Sequence, residues 1–312
     1  MDIGNLYCVI SAVKRGGITV ILNENSKRQN LCAVSFQDKK RLLGDTAKPM
    51  LRSNYKNTIT ELRRLVGRSW DDPLFQRDLA RRPNKDFFQQ LPGSNRIGVK
   101  VQYDGTSTVF APEQLLAMLL RHLVAHIAAN DTGISEPDVV LSVPGYFTDV
   151  QRRALLSAGA VAGIPLLRLI NDNTATALSY GMWKSARGVF DAEKPQYVLF
   201  VDVGHSDTAC SVVSFVKGRL CVLGEAHDED LGGRNIDHAL ADHFAAQFAE
   251  KHGGQDPRTN PKSLVKLLAE CEKMKTSPSK FRGTPDCNET LRCTATAWML
   301  IVAQCSAIPQ QA

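Results

Sequence analysis

Two short stretches carry the residue types most suited to chemistry. MDIGNLYCVISAV opens the chain, and VDVGHSDTACSVV begins at Val201. Each has Asp-aliphatic-Gly, a short turn and then a β-rich run. An acid and a glycine in a tight turn between apolar strands make a loop that can hold phosphate, because glycine lets backbone N–H groups approach closely. The second loop has a single glycine, Gly204, and adds a second negative charge at Asp207. A carboxylate facing phosphate is repelled unless a metal or basic groups intervene. Two such stretches in one chain suggest duplicated lobes facing each other across a cleft; a chance likeness of two short segments is the alternative.

Other groupings carry less. Residues 63–85, RRLVGRSWDDPLFQRDLARRPNK, concentrate basic side chains with acids interleaved. That mixture reads as a solvated face and not as a nucleic-acid patch. His122 and His126 stand four apart on a helix, a spacing that can share a metal, but no third ligand lies near them in sequence. Cys287 and Cys293 lack the second pair a zinc site needs. Eight cysteines spread over 312 residues without a CxxC pair suit free thiols in a reducing compartment. Hydrophobic content of 43%, charged content of 22% and a net charge of +6 are those of a soluble globular chain long enough for one large or two ordinary domains. Nothing at the N-terminus reads as a signal peptide. The run TATAWMLIVAQCSAI is too short and interrupted to span a membrane.

The elements that must hold the two loops follow from periodicity. Residues 1–24 read as a strand pair, LYCVISAV and ITVIL, around a KRGG turn. Residues 56–85 read as mainly helical. RIGVKVQYDG and TSTVF form a hairpin. Pro112 starts a helix with Leu115, Leu116, Leu119, Leu123 and Ile127 on one face. DVVLSVP is a buried strand stopped by Pro144. Thr148 and Gln151 make a capping-box pattern for a helix ending near Gly163. LLRLI is a strand and TATALSYGMWKS a helix. This alternation implies an α/β domain. A linker, ARGVFDAEKPQ, leads to the strands YVLFVDVG, CSVVSF and RLCVLGEA. After DLGGR comes a long helix with Ile236, Leu240, Phe244 and Phe248 at four-residue spacing, stopped by Gly253 and Gly254. PKSLVKLLAECEKMK is a final amphipathic helix, and the pattern ends after Lys275.

VPGYFTDVQRRALLSAGAVAGIPLLRLINDNTATALSYG, residues 143–181, resembles the nucleotide-binding domain of the 70-kDa heat-shock protein family. VDVGHS, LGGRNID, MDIGN and NTITELRRLVGRSWDDP resemble its large, 110-kDa class. The resemblance covers about residues 2–275. LINDNTATALSYG is also similar to the large endoplasmic-reticulum relative, and the lack of a signal peptide speaks for the cytosolic type. The resemblance implies an actin-like (ribonuclease H-like) two-lobed ATPase fold. Residues 1–188 would be the first lobe, with 32–110 its smaller subdomain; 189–275 a partial second lobe; 276–312 a tail outside the family. It implies ATP or ADP with Mg²⁺ between the lobes. Its implied partners are a 70-kDa chaperone, whose nucleotide the large class releases, and unfolded polypeptides held by the full-length relatives. Nucleic acid and membrane are not among them.

Carried over residue by residue, the resemblance implies that Gly4, Asn5, Gly204, His205, Ser206, Gly232 and Gly233 line the phosphates. Asp2 and Asp202 would hold the waters around Mg²⁺, which keeps several waters and few protein ligands. Arg63 stands where the family has a lysine for phosphoryl transfer; the charge is kept, but as a planar fork. Asp172 stands for a glutamate that senses the γ-phosphate and is one methylene shorter. Glu272 and Lys275 match residues at the adenine. Pro144 and Arg152 match positions that relay the nucleotide state to the partner domain. By residue type alone each keeps a plainer reading: turn or solvated acids, ordinary turn glycines, surface charges at Arg63 and Arg152, an N-cap at Asp172, a strand stop at Pro144.

The chain also departs from the family. Asn5 and Leu6 replace phosphate-holding threonines, and Asp207 replaces another. These changes should weaken hydrolysis more than binding, leaving at most a weak ATPase. Thr276 stands where a basic residue would stack on adenine. Met1 directly precedes the first Asp, so most of a central strand is expected to be missing, with unpaired backbone and apolar surface exposed on its neighbours. Beyond Lys275 nothing resembles the family's adenosine-gripping segment, β-sandwich or helical arm. The reading is an ATP-binding co-chaperone and nucleotide exchange factor, with a weak ATP-hydrolysing chaperone and an inactive truncated fragment as alternatives.

Overall fold

Short alternating apolar runs punctuated by turn residues give the start of the chain its small antiparallel sheets. The structure is a computed structural model that describes residues 1–14 and 17–276. Its residues divide into two units, Met1–Ala175 and a second beginning at Thr176, the division falling inside a helix.

In the first unit, β1 (Asp2–Ile3) pairs with β2 (Tyr7–Val9), which pairs with β5 (Asn30–Leu31), all antiparallel. The single LYCVISAV strand expected from sequence is broken at buried Ile10, whose carbonyl accepts from the Ile21 N–H. Beyond the break, β3 (Ser11–Lys14) and β4 (Gly17–Val20) form a separate hairpin with Val13 and Ile18 exposed. The Met1 amine donates to the Val140 carbonyl at 2.8 Å, and the Ser142 N–H donates to the Met1 carbonyl. The edge expected to be bare is thus partly paired, while Val140 stays exposed.

A second sheet sets β6 (Ala33–Gln37) between β7 (Lys40–Leu43) and β8 (Thr58–Thr60), and α1 (Met50–Ser53) lies between the last two in sequence. Residues 56–85 are not mainly helical. β-Branched Thr58-Ile59-Thr60 takes a strand, as such residues favour, and α-helix is confined to α2 (Leu62–Leu65) and α3 (Pro73–Arg81). Nor is the basic stretch a solvated face throughout: Arg63, Arg64 and Arg82 are buried. Acids inside the stretch and beyond it are their partners. Arg64 donates to Asp78 at 2.7 Å, and Arg82 donates to Glu61 at 2.6 Å.

The expected hairpin is β10 (Ile97–Tyr103) and β11 (Thr106–Phe110), with β9 (Phe88–Gln90) on the other side of β10. It is followed by α4 (Pro112–Arg121), a π-helical stretch His122–Ala128, and α5 (Ala129–Thr132). Leu115, Leu116, Leu119, Leu123 and Ile127 are all buried, as their spacing predicts. The parallel pair β12 (Val139–Val143) and β13 (Leu166–Asn171) is joined by α6 (Asp149–Ala162). The Thr148 hydroxyl accepts from the Gln151 N–H, Gln151 reaches back to the Thr148 N–H, and Gly163 closes the helix at φ 68°.

α7 (Asp172–Ser185) contains the division. In the second unit β14 (Gln196–Val203), β15 (Thr208–Val216) and β16 (Arg219–Asp228) form an antiparallel meander. One face packs through Val213, Phe215, Val198 and Phe200 onto Ala177 and Tyr180. Phe190, from the expected linker, stacks on Phe215 at 5.2 Å. α8 (Gly233–Lys251) packs on α9 (Pro261–Thr276) through Ile236, Leu240, Ala241 and Cys271. Phe248 is exposed and stacks on His252 instead of joining them. A four-residue spacing drifts about 40° per step around a helix of 3.6 residues per turn, so the stripe leaves the buried face by its fourth member.

No helix among the described residues is long and apolar enough to cross a membrane. Cys287, Cys293 and the TATAWMLIVAQCSAI run lie outside the described residues. Cys8, Cys32, Cys210, Cys221 and Cys271 are free thiols.

Candidate functional site

The two Asp-aliphatic-Gly stretches fold alike. In the first, Asp2 pairs with Val9 and Ile3 with Cys8 across the turn. In the second, Asp202 pairs with Ala209 and Val203 with Thr208. In each, the glycine N–H donates to the carbonyl three residues on: Gly4 to Tyr7 at 3.0 Å, and Gly204 to Asp207 at 2.8 Å. A Cβ on Gly4 would sit 2.5 Å from the Tyr7 oxygen, so no larger residue fits that turn unchanged. Asp2 and Asp202 both end exposed at their turns, and Asp2 accepts from the Ser142 hydroxyl at 2.9 Å. Solvent-facing carboxylates beside glycine backbone are the donor set a hydrated Mg²⁺ and a phosphate require.

The loops differ in what fills them. Asn5 is buried, and Leu6 packs on the small apolar cluster of Leu31, Ala33 and Ala47. In the second loop Ser206 and Asp207 are buried, and the Ser206 hydroxyl donates to Asp207 at 3.4 Å. The Asp207 carboxylate is therefore folded into its own turn. His205 is half-buried and supplies the carbonyl that accepts from the Arg234 N–H at 2.7 Å.

The start of α8 seats against this second turn. The Gly233 N–H donates to the Gly204 carbonyl at 2.9 Å. A Cβ on Gly232 would lie within 2.8 Å of the backbone of His205, Ser206 and Asp207. Lys275, from the end of α9, donates to the Gly233 carbonyl at 3.1 Å and to Asp237 at 2.7 Å. Burial pushes the Asp237 carboxyl above the usual range against the pull of Lys275, and neighbouring Glu272 raises it further. Gly204, His205, Ser206, Gly232, Gly233 and Lys275 thus converge on one place, with Glu272 beside them.

In the first unit, Arg63 on α2 donates to Asp172 at 3.1 Å. Neither plain reading survives alone: Arg63 is buried, and Asp172 opens α7 as an ion-pair partner. Arg152 on α6 donates to the carbonyls of Phe147 at 2.9 Å, Gly145 at 3.1 Å and Pro144 at 3.2 Å, and to the Asn171 side chain at 2.9 Å. The consecutive residues Asn171 and Asp172 are therefore gripped by arginines from two helices, and Pro144 is tied into the same chain of contacts. Gly67 lets these helices meet: at φ 70° its Cβ position lies 2.6 Å from the Gln151 Cα. The Cys8 thiol, in a hydrogen bond with the Cys32 thiol and fully buried, is held well above the usual thiol range; Asp2 adds to this and Arg63 opposes it.

Asn171 and Asp237 were missed by sequence reasoning. Each adjoins or follows a recognised residue, but the signal that would have found them is a tertiary partner. The structure supplies Glu24 beside His122, with Oε1 3.4 Å from Nε2. Burial nonetheless pushes His122 below the usual histidine range. Among the described residues no three His, Cys, Asp or Glu side chains are grouped to hold a metal.

A family description, Hsp70 protein, matches residues 1–292, running past Lys275. The chain is 42% identical over 274 residues to heat shock 70 kDa protein 16 of Arabidopsis thaliana, covering 88% of this chain and 35% of that protein. It is 42% identical to the 97 kDa heat shock protein of Mesocentrotus franciscanus, again over 88% of this chain but 30% of the relative. Heat shock protein 110 of Caenorhabditis elegans is 41% identical over 275 residues, covering 88% and 35%. The chain spans about a third of the length of these relatives. The extent of the match and the paired turns together place the chain in the Hsp70 family, whose nucleotide-binding domain has the actin-like ATPase fold.

Proposed function

We propose that this chain binds ATP and ADP with Mg²⁺ and serves, in the cytosol, as the nucleotide-binding part of a large-class co-chaperone that promotes nucleotide exchange on a 70-kDa partner chaperone. The observation that carries the reading is the matched pair of glycine turns, identical in register and hydrogen bond, each presenting an exposed aspartate. Asp2 and Asp202 would hold the hydrated cation, and Gly4, Gly204 and the Gly232–Gly233 backbone would lie along the phosphates. Mg²⁺ supplies charge neutralisation when bound. Arg63, bound to Asp172, and the Arg152 contacts to Pro144 and Asn171 form the path by which a phosphate would be felt at the surface.

Binding without rapid hydrolysis fits these residues better than efficient turnover. Arg63 is buried against a carboxylate, Leu6 packs into an apolar cluster, and Asp207 is taken up by its own turn. Chaperoning of unfolded polypeptides belongs, in this reading, to the longer relatives.

A thermal melt with and without Mg-ATP and Mg-ADP tests the proposal. A ligand at a hundredfold excess over its Kd that binds only the folded state adds about 2.7 kcal/mol of stability. The expected result is a magnesium-dependent rise that Asp202→Asn reduces, followed by faster nucleotide release from a 70-kDa chaperone when the chain is added. An unchanged melt at millimolar nucleotide would overturn it. Steady-state phosphate release sensitive to Asp202→Asn would instead establish the weak ATPase.

A further inference from the structure

His122 and His126 have no part in the glycine turns. His122 opens the π-helical stretch of the first unit, and its Nε2 is buried without a hydrogen-bond partner. The Glu24 Oε1, from the loop between β4 and β5, stands 3.4 Å away. His126, four residues on, is exposed, with its ring centre 5.8 Å from that of His122.

A third polar group faces the same place. Asn30, the first residue of β5, is 1% exposed, and neither its side-chain oxygen nor its nitrogen has a partner. Its Oδ1 and the His122 Nε2 both lie beside Gly44: a Cβ there would be 4.0 Å from the one and 3.8 Å from the other. The neighbouring carboxylate, Asp45, is already engaged by Lys27 at 2.9 Å and by the Leu31 N–H at 3.2 Å. A buried amide and a buried imidazole nitrogen left unpaired side by side ask for a water or an ion.

The chemistry of the donors favours an ion. One imidazole nitrogen with a carboxylate and an amide oxygen suits a first-row divalent ion such as Zn²⁺ better than Mg²⁺ or Ca²⁺, which take oxygen. Two ligands at about 2.1 Å from a tetrahedral ion lie about 3.4 Å apart, the separation of the His122 and Glu24 atoms. Burial favours the neutral ring, the form that binds metal. Because the third donor is an amide, the group is not a cluster of three imidazole, thiol or carboxylate ligands. We propose that the His122 Nε2, the Glu24 Oε1 and the Asn30 Oδ1 form a site for a divalent transition ion of the Zn²⁺ type, with water in the fourth position. The ion ties the β4–β5 loop to the π-helical stretch.

Co²⁺ titrated into the full chain and followed by its visible absorption tests this, with accessible thiols alkylated beforehand so that cysteine does not compete. The expected result is one bound ion per chain, displaced by Zn²⁺. Glu24→Ala and His122→Ala should each weaken binding at least tenfold. Asn30→Asp, which puts a carboxylate in place of the amide, should tighten it at least tenfold, a gain that a merely structural role for Asn30 does not give. Should the buried-site variants fail to fold, Glu24→Ala decides, because that side chain is 48% exposed. No saturable binding at millimolar Co²⁺ would overturn the proposal and leave the buried groups to water. Binding that Glu24→Ala leaves unchanged would also overturn it; loss with His126→Ala would then place the ion on the histidine pair alone.

Discussion

The turn at Gly4 and the turn at Gly204 are built to one plan and braced by different means. Both are hairpins in the same register, closed by the same glycine N–H bond. The first is braced by a strand, with the Cys32 N–H donating to the Leu6 carbonyl at 2.8 Å. The second is braced by a helix start, with Gly233 and Arg234 N–H groups donating to the Gly204 and His205 carbonyls. Each turn has a cation–carboxylate pair in its neighbourhood, but of different character. Arg63, close enough to act on the Cys8 thiol, is buried on Asp172. Lys275 is more exposed and divides its donors between Asp237 and the Gly233 carbonyl. The first turn is therefore held by packing that excludes alternatives, the second by polar contacts that can be exchanged.

Removing Arg63 should have the largest effect, because a carboxylate loses its buried partner. Arg63→Met is expected to cost about 3 kcal/mol, within the range for breaking a buried ion pair from one side. Lys275→Met removes a more exposed cation and leaves an Asp237 already pushed toward its protonated form, and should cost less, about 1 kcal/mol. Denaturant midpoints of the two variants measure both. Equal losses would break the distinction between a fixed and an adjustable turn.

The glycines sharpen it further. A Cβ on Gly4 meets the Tyr7 oxygen at 2.5 Å, and one on Gly204 meets the Asp207 oxygen at 3.1 Å. The first contact demands that backbone move, an overpacking cost of about 2–3 kcal/mol; the second needs a shift of a few tenths of an ångström, for about 1 kcal/mol or less. Gly4→Ala should therefore destabilise the chain more than Gly204→Ala by chemical denaturation. The reverse order would show that the second turn is the stiffer one.

What the sequence disclosed and what it hid divide along the same line. The two hairpins, the Thr148–Gln151 box and the Leu115-to-Ile127 stripe were legible because each is fixed by residues within one or two turns of each other. The pairing of Arg63 with Asp172, 109 positions apart, was not, since Arg63 alone reads as a surface charge and Asp172 alone as an N-cap. For the same reason the basic stretch around Arg64 was mistaken for surface: its partner Asp78 was visible in sequence as an interleaved acid, but nothing local says that both are buried. The role of Gly232 was legible only as a loop glycine. That it must lack a Cβ because the second turn passes against it is a tertiary fact. Phe248 failed in the other direction, a local spacing trusted one step beyond the angle at which it could hold.

The smallest expected effect concerns Asp237, and its sign follows from the direction of its shift. Burial raises its folded-state value above the unfolded one, Lys275 opposing and Glu272 adding to it. Between the two values the folded chain binds the extra proton, so this group's contribution is fully present below about pH 4, the ordinary carboxylate range, and is lost as pH rises through the raised value. Stability measured by denaturant midpoint should then carry a downward component with rising pH in mildly acid solution, and Asp237→Asn should remove that component. At neutral pH the same variant gives up a charge-assisted bond to Lys275 but also a costly buried charge, so the net change there should be within about 1 kcal/mol. If the mildly acid slope survives the substitution, the proton is bound elsewhere, and the Lys275–Asp237 pair is as fixed as the one that Arg63 makes in the first unit.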